Sequence, residues 1–205
     1  MNDPRAMPTV WQGAQPHGGE RIHLPTGPFV RDAGCVISTG KLLRDWLRPD
    51  LLSMTVLEVL RLLQTTPGAL VDGQGHTGAL VYWPVATPAL GLACDDAVAH
   101  VPDHVDAQHE FGGHTVDPNA DLAAELAGAL TTGGAAVRVD VDGDERGDHT
   151  IACFARTDDG LFLCSCPALC SIVTLDANLE NASIKWNGRP HPYRAVGIRA
   201  VRRAA

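Results

Sequence analysis

Apolar residues recur with helical spacing in three parts of the chain, which are residues 38–47, 55–64 and 121–130. The first helix is predicted to begin at or just after Cys35 and to end before Pro49. The second opens with a capping box, because Glu58 follows Thr55 by three positions. The third is amphipathic and is predicted to stop at the glycine pair 133–134.

The second half of the chain alternates apolar and polar residues in short runs, a pattern typical of antiparallel strands joined by tight turns. These runs are residues 135–141, 150–155, 161–164, 172–175 and 194–201. Shorter apolar runs broken by glycine and proline fill residues 69–93, where we predict short strands and loops rather than helix. The predicted fold class is α+β, with an N-terminal helical half packed on a C-terminal antiparallel β-sheet.

The composition is that of one globular domain, since 45% of the 205 residues are hydrophobic and 20% are charged. Residues 1–33 contain five prolines and are predicted to form an irregular lead-in. Residues 34–205 are predicted to form a single domain.

The charge balance argues against a nucleic-acid partner, because 16 basic and 24 acidic residues give a net charge of −8. No run approaches the roughly 20 apolar residues that a membrane span requires. The N-terminus lacks the basic and apolar regions of a signal peptide. We therefore expect a chain without a membrane span or its own secretion signal, found in the cytoplasm or in a phage particle or other delivered assembly.

The candidate chemistry starts with Cys35, one of six cysteines, a number too low for a disulfide scaffold of this length. Gly34 precedes it and a predicted helix follows, so the free N–H groups and dipole of the helix can stabilise a thiolate. A base for this nucleophile would come from the sheet. His149 follows a polar loop and opens a predicted strand, which makes it the candidate base.

The order of these motifs resembles that of the papain-like cysteine peptidases of the bacteriocin-processing, double-glycine type. The matching pieces are residues 34–35, 126–141, 148–151, 159–163 and 166–169. The resemblance implies a papain-like fold in which Cys35 is the nucleophile, His149 is the general base, and Gln12 or else Gln15 helps to form the oxyanion hole. It implies no metal or organic cofactor.

One position departs from the family pattern. The turn before Pro-Ala usually begins with an Asp or Asn that holds the histidine ring, and here that residue is Cys166. A thiol is a weak acceptor and cannot stabilise an imidazolium as a carboxylate does. Reduced activity, a different orienting residue such as Ser165, and a catalytically silent copy of the fold are the three alternatives that remain open.

The expected function is that of a cysteine peptidase or amidase cleaving a peptide bond, with cell-wall peptide as one substrate class. The absence of a transporter segment disfavours the export role of some relatives. The alternative is a catalytically silent, papain-like structural or interaction protein with protein assembly partners, such as a phage tail or virion component.

Other clusters suggest ligands, but each has a simpler structural interpretation that we favour. A histidine-rich segment contains residue types that can bind zinc, namely Cys94, His100, His104, His109 and His114. Pro102 interrupts this segment and acidic residues surround it, so we predict an acidic surface loop. Four cysteines could form a four-thiolate metal site; they are Cys153, Cys164, Cys166 and Cys170. Alternation along a strand would instead point Cys164 and Cys166 to the same face, where small apolar thiols pack in the core.

Two further segments have a ligand interpretation. Residues 140–148 have the carboxylate density of a calcium loop, but Ile151 stands where an EF-hand needs Glu, and we predict a charged hairpin loop. Residues 186–194 mix aromatics with arginines as a ligand platform does, although a turn into the last strand explains them better.

Overall fold

A computed structural model of the chain describes residues 34–71, 80–95, 97–100, 115–117, 120–141, 143, 149–181, 185–186, 189–190 and 193–205. The helices in these ranges are α1 (Cys35–Leu47), α2 (Val56–Thr65), α3 (Trp83–Ala89) and α4 (Leu122–Thr132). The strands are β1 (Leu70–Val71), β2 (Leu80–Val81), β3 (Leu92–Cys94), β4 (Ala97–His100), β5 (Thr115–Asp117), β6 (Gly133–Asp140), β7 (His149–Arg156), β8 (Phe162–Cys166), β9 (Ser171–Leu175), β10 (Lys185–Trp186), β11 (Arg189–Pro190) and β12 (Arg194–Arg203). The predicted lead-in, residues 1–33, lies outside the described ranges.

The three predicted helices are confirmed, and their ends carry the predicted signals. Helix α1 begins at Cys35 directly after Gly34. Helix α2 has the expected capping box: the Thr55 hydroxyl accepts the Glu58 N–H at 3.2 Å, and the Glu58 carboxylate accepts the Thr55 N–H at 2.7 Å. Helix α4 is capped by Asp121 and ends where β6 begins. Local sequence signals therefore determine these three elements.

The prediction for residues 69–93 is wrong in one respect, because Trp83–Ala89 forms the helix α3. Proline in its first turn is compatible with a helix, since the N–H it lacks would have no partner there. The Thr87 hydroxyl donates to the Trp83 carbonyl at 2.7 Å, and the buried Trp83 and Ala86 side chains join the core. Tertiary packing thus stabilises a short helix where the prolines of the sequence had favoured strands and loops.

The main sheet has eight strands in the order β5-β4-β12-β6-β7-β8-β9, and β3 pairs with β12 beside β4. Its pairs are antiparallel except for β4 and β5, which run parallel at one edge. This architecture confirms an α+β fold. It differs from the predicted helices-then-sheet order, because β3, β4 and β5 precede α4 in the chain and join the C-terminal strand.

The core is divided by the sheet into two clusters, as the alternation along β7 shows. Ala152 and Phe154 pack with α1, α2 and α3 on one face. Ile151 and Cys153 pack with Leu126 of α4 on the other face. Both faces of the sheet are therefore covered by helices at β7.

The glycine pair at the start of β6, Gly133 and Gly134, allows neighbouring atoms to pack closely against the backbone. A Cβ at Gly133 would lie 2.1 Å from the Val201 carbonyl oxygen in β12. A Cβ at Gly134 would lie 2.9 Å from the Cys153 carbonyl oxygen and 3.0 Å from Leu43 Cδ2 of α1. Real Cβ atoms do not approach backbone atoms this closely. The absence of side chains is what allows α4 to pass into the sheet without a loop.

Candidate active site

Cys35 is the first residue of α1 and is partly buried. Helix α1 packs against the sheet there, and the Thr39 hydroxyl donates to the Thr150 carbonyl at 3.0 Å. Burial raises the pKa of the Cys35 thiol, and hydrogen bonds from Thr150 together with the charge of Arg138 oppose the rise without cancelling it. The resting group is therefore a neutral thiol beside the start of β7.

His149 opens β7, opposite Val139 of β6, and is 8% exposed. Burial lowers the pKa of His149 to about 4, because a charged imidazolium loses its hydration there. The imidazole is thus neutral at pH 7. A neutral ring can accept a proton, so His149 has the charge state that a general base requires.

The His149 ring contacts Cys166, the residue directly before Pro167. Its Nε2 lies 3.3 Å from the Cys166 Sγ, and Cys166 is fully buried. The Tyr193 hydroxyl lies 3.3 Å from the same sulfur, and the Tyr193 ring meets the imidazole edge to face at 6.0 Å between centroids. These three side chains form a buried hydrogen-bonded chain.

No hydrogen bond joins Cys35 to His149, whose ring contacts Cys166 in the core cluster on the α4 face of the sheet. The thiol lies against Thr150, the residue that follows His149 in β7. The imidazole uses Nε2 toward Cys166, and no hydrogen bond joins its Nδ1 to another described residue. Both groups are neutral in the resting protein, because burial raises the pKa of the Cys35 thiol and lowers that of His149.

Ser165, the alternative orienting residue, does not hold the histidine ring. It lies opposite Ala152, whose side chain packs on the α1 face of the sheet. Its hydroxyl is buried without a hydrogen-bond partner among the described residues. Strand alternation separates it from Cys166, which packs in the other cluster. The proposal of Ser165 as orienter is therefore wrong.

Several candidates of the sequence analysis fall outside the described ranges. Gln12 and Gln15 are among them, as are His104, His109 and His114. Of His100 only the backbone is described, as part of β4. The zinc interpretation of the histidine-rich segment and the assignment of an oxyanion-hole glutamine stay predictions.

The four cysteines of the second half differ in burial, with three of them buried and one exposed. Cys153, Cys164 and Cys166 lie in one buried core cluster, and for Cys164 and Cys166 this is the packing that strand alternation predicted. Cys170 is exposed, with φ of 49° in a turn. Within the described ranges, no group of three or more His, Cys, Asp or Glu side chains is placed to hold a metal ion.

The structure describes part of each of the two remaining candidate ligand segments, residues 140–148 and 186–194. At the end of β6 the Asp140 carboxylate accepts the Gly143 N–H at 2.7 Å, a contact that stabilises a turn. Near the C-terminus, β10 and β11 pair as an antiparallel two-stranded sheet, which fits the turn predicted for residues 186–194. Across the described part of the chain, no helix combines the length and hydrophobicity needed to cross a membrane.

Tyr193 is the residue that sequence reasoning missed. It belongs to the stretch of aromatics and arginines before the last strand, and a buried tyrosine hydroxyl generally needs a hydrogen-bond partner. The sequence could not reveal that partner, because Cys166 lies 27 positions away.

No protein-family model matches the chain, and neither a curated protein nor a solved structure matches it significantly. The interpretation of the site therefore depends on its residues and their geometry.

Proposed function

We propose that the protein is a cysteine peptidase or amidase that cleaves a peptide bond by acyl transfer. Cys35 is the nucleophile and His149 the general base. The observation that carries the proposal is the packing of Cys35, at the N-terminus of α1, against Thr150 at the start of β7 beside His149. The neutral state of His149 and the occupation of its Nε2 by Cys166 leave Nδ1 for the base role.

The mechanism begins with a neutral pair. The Cys35 thiol gives its proton to His149 Nδ1 as the sulfur attacks the carbonyl carbon, and a sulfur–carbon bond forms. The imidazolium passes the proton to the leaving nitrogen as the carbon–nitrogen bond breaks. Water then attacks the thioester with the help of His149, which releases a carboxylic acid and restores the thiol. The proposed substrate class is a peptide, cell-wall peptide included.

A catalytically silent papain-like protein is the second candidate, for example a structural or interaction component of a phage tail or virion. Two observations favour it. Burial raises the pKa of the Cys35 thiol instead of producing a thiolate, and the structure describes no hydrogen bond between Cys35 and His149. Both features suit a scaffold that has kept the two residues without turnover.

The test is the release of new amino groups from a mixed peptide library and from peptidoglycan fragments. We expect release by the wild type, loss of it in Cys35→Ala, and a fall on the order of 10²–10⁴-fold in His149→Ala. Cys94→Ala is the matched control, because Cys94 is also a partly buried free thiol and should keep full activity. No release from either substrate, or unchanged release by Cys35→Ala, would favour the silent scaffold.

A further inference from the structure

The sulfur of Cys166 is surrounded by hydrogen-bonding groups. His149 Nε2 and the Tyr193 hydroxyl each lie 3.3 Å from it. Burial raises the pKa of the Cys166 thiol, and the Tyr193 hydroxyl and the backbone N–H groups of Leu169 and Ala168 oppose the rise. The two backbone groups can only donate, whereas the imidazole nitrogen and the phenol oxygen can each donate or accept.

The direction in which the Cys166 S–H bond points decides whether His149 Nδ1 can accept a proton. A neutral imidazole carries one proton. If the thiol donates to Nε2, the ring proton is on Nδ1, which then cannot accept a proton from Cys35. If Nε2–H donates to the sulfur, the lone pair is on Nδ1 and the ring can act as a base.

The thiol proton has two acceptors in this cluster, His149 Nε2 and the Tyr193 oxygen. When Tyr193 takes it, Nε2 is left to donate to the sulfur. We propose that Tyr193 is a positioning residue: by accepting the Cys166 S–H it holds His149 in the tautomer that carries its proton on Nε2. The inference rests on the proposed function for its catalytic consequence, but the tautomer itself exists without any substrate.

Phenol and thiol together would then replace the single Asp or Asn of the resembling family. A carboxylate accepts the imidazole N–H without having a proton of its own to place. A thiol carries a proton, so it can accept the imidazole N–H only if a second acceptor takes the thiol proton. Tyr193 supplies that acceptor, and its ring edge also packs against the imidazole.

The test is the tautomer of His149 in the full-length chain, read from long-range ¹H–¹⁵N correlations of the imidazole, with the signal assigned by its loss in His149→Gln. We expect the wild type to carry the proton on Nε2. Tyr193→Phe removes the second acceptor and should switch the proton to Nδ1. Adding Cys166→Asp to Tyr193→Phe should return it to Nε2, because a carboxylate only accepts.

Two results would overturn the inference: a wild-type ring that carries its proton on Nδ1, or a Tyr193→Phe ring that keeps it on Nε2. The wild-type tautomer is read without Tyr193→Phe, so the inference is testable even if that variant fails to fold. In the peptide assay, Tyr193→Phe should lower kcat on the order of 10²-fold with little change in KM, and Cys166→Asp should restore it. A correct tautomer with no Cys35-dependent hydrolysis would reject the proposed function and leave the positioning role intact.

Discussion

At the scale of single residues, two opposing effects meet at Cys35. Its place at the N-terminus of α1 favours a thiolate, because the free N–H groups and the helix dipole stabilise negative charge. Burial against the sheet disfavours charge, and it prevails in raising the pKa of the thiol. A helix start is visible in the sequence, but the depth at which it is buried depends on the strands that cover it.

The pKa of His149 also depends on burial, and its shift should make the stability of the protein sensitive to acid. Its pKa is about 4 in the folded chain and 6.5 without burial, so the unfolded chain binds the proton first. The free energy of unfolding should therefore fall as the pH drops from about 6.5 to 4, by about 3 kcal/mol in total. Urea denaturation at several pH values measures this dependence.

The matched control for this acid effect is His149→Gln, which keeps a polar side chain without a titrating ring. It should show a shallower loss of stability between pH 6.5 and 4 than the wild type. Identical pH dependence in the two proteins would mean that His149 is not buried in its neutral form.

At the scale of secondary-structure elements, capping and periodicity predict most helices. Thr55 and Glu58 identify the start of α2 because each side chain binds the other residue's backbone N–H. Helix α3 shows where this local information is insufficient. Its two prolines suggested interruption, and only the burial of Trp83 and Ala86 in the core explains why the segment is helical.

Removal of the α2 cap should have a measurable cost. Thr55→Ala deletes the hydroxyl that accepts the Glu58 N–H, and we expect the free energy of unfolding to fall by about 1 kcal/mol. Thr55→Ser keeps a hydroxyl at the same place and should remain within a few tenths of a kcal/mol of the wild type. Urea denaturation compares the three proteins, and an equal loss in both variants would show that the cap contributes nothing.

At the scale of the whole molecule, the sheet joins distant parts of the chain. Strand β12 pairs with β3, β4 and β6, so the C-terminal strand lies in the interior of the sheet. The passage from α4 into β6 lies between β12 and β7 and beneath α1. A side chain at this junction would disturb both faces of the sheet.

Two glycines of the same region should respond oppositely to alanine. Gly133→Ala places a Cβ against the backbone of β12, and we expect a loss of at least about 3 kcal/mol in the free energy of unfolding. Gly128→Ala lies on the exposed side of α4 with no atom within 4 Å of the added Cβ, and we expect a gain of about 0.5–1 kcal/mol. Chemical denaturation measures both. A Gly133→Ala protein as stable as the wild type would contradict the close packing of this junction.

Local sequence signals suffice to predict the helices α1, α2 and α4 and most strands of the second half. They also suffice for the places of Cys35 at a helix start and His149 at a strand start. These features follow from signals that act within a few residues, namely capping, alternation and glycine. The tertiary structure decided the rest, since it depends on contacts between residues far apart in the chain. It placed β12 in the interior of the sheet, turned Nε2 of His149 toward Cys166 and brought Tyr193 to the same sulfur. It also set the protonation of the site, because burial is a property of the packed molecule rather than of any local segment.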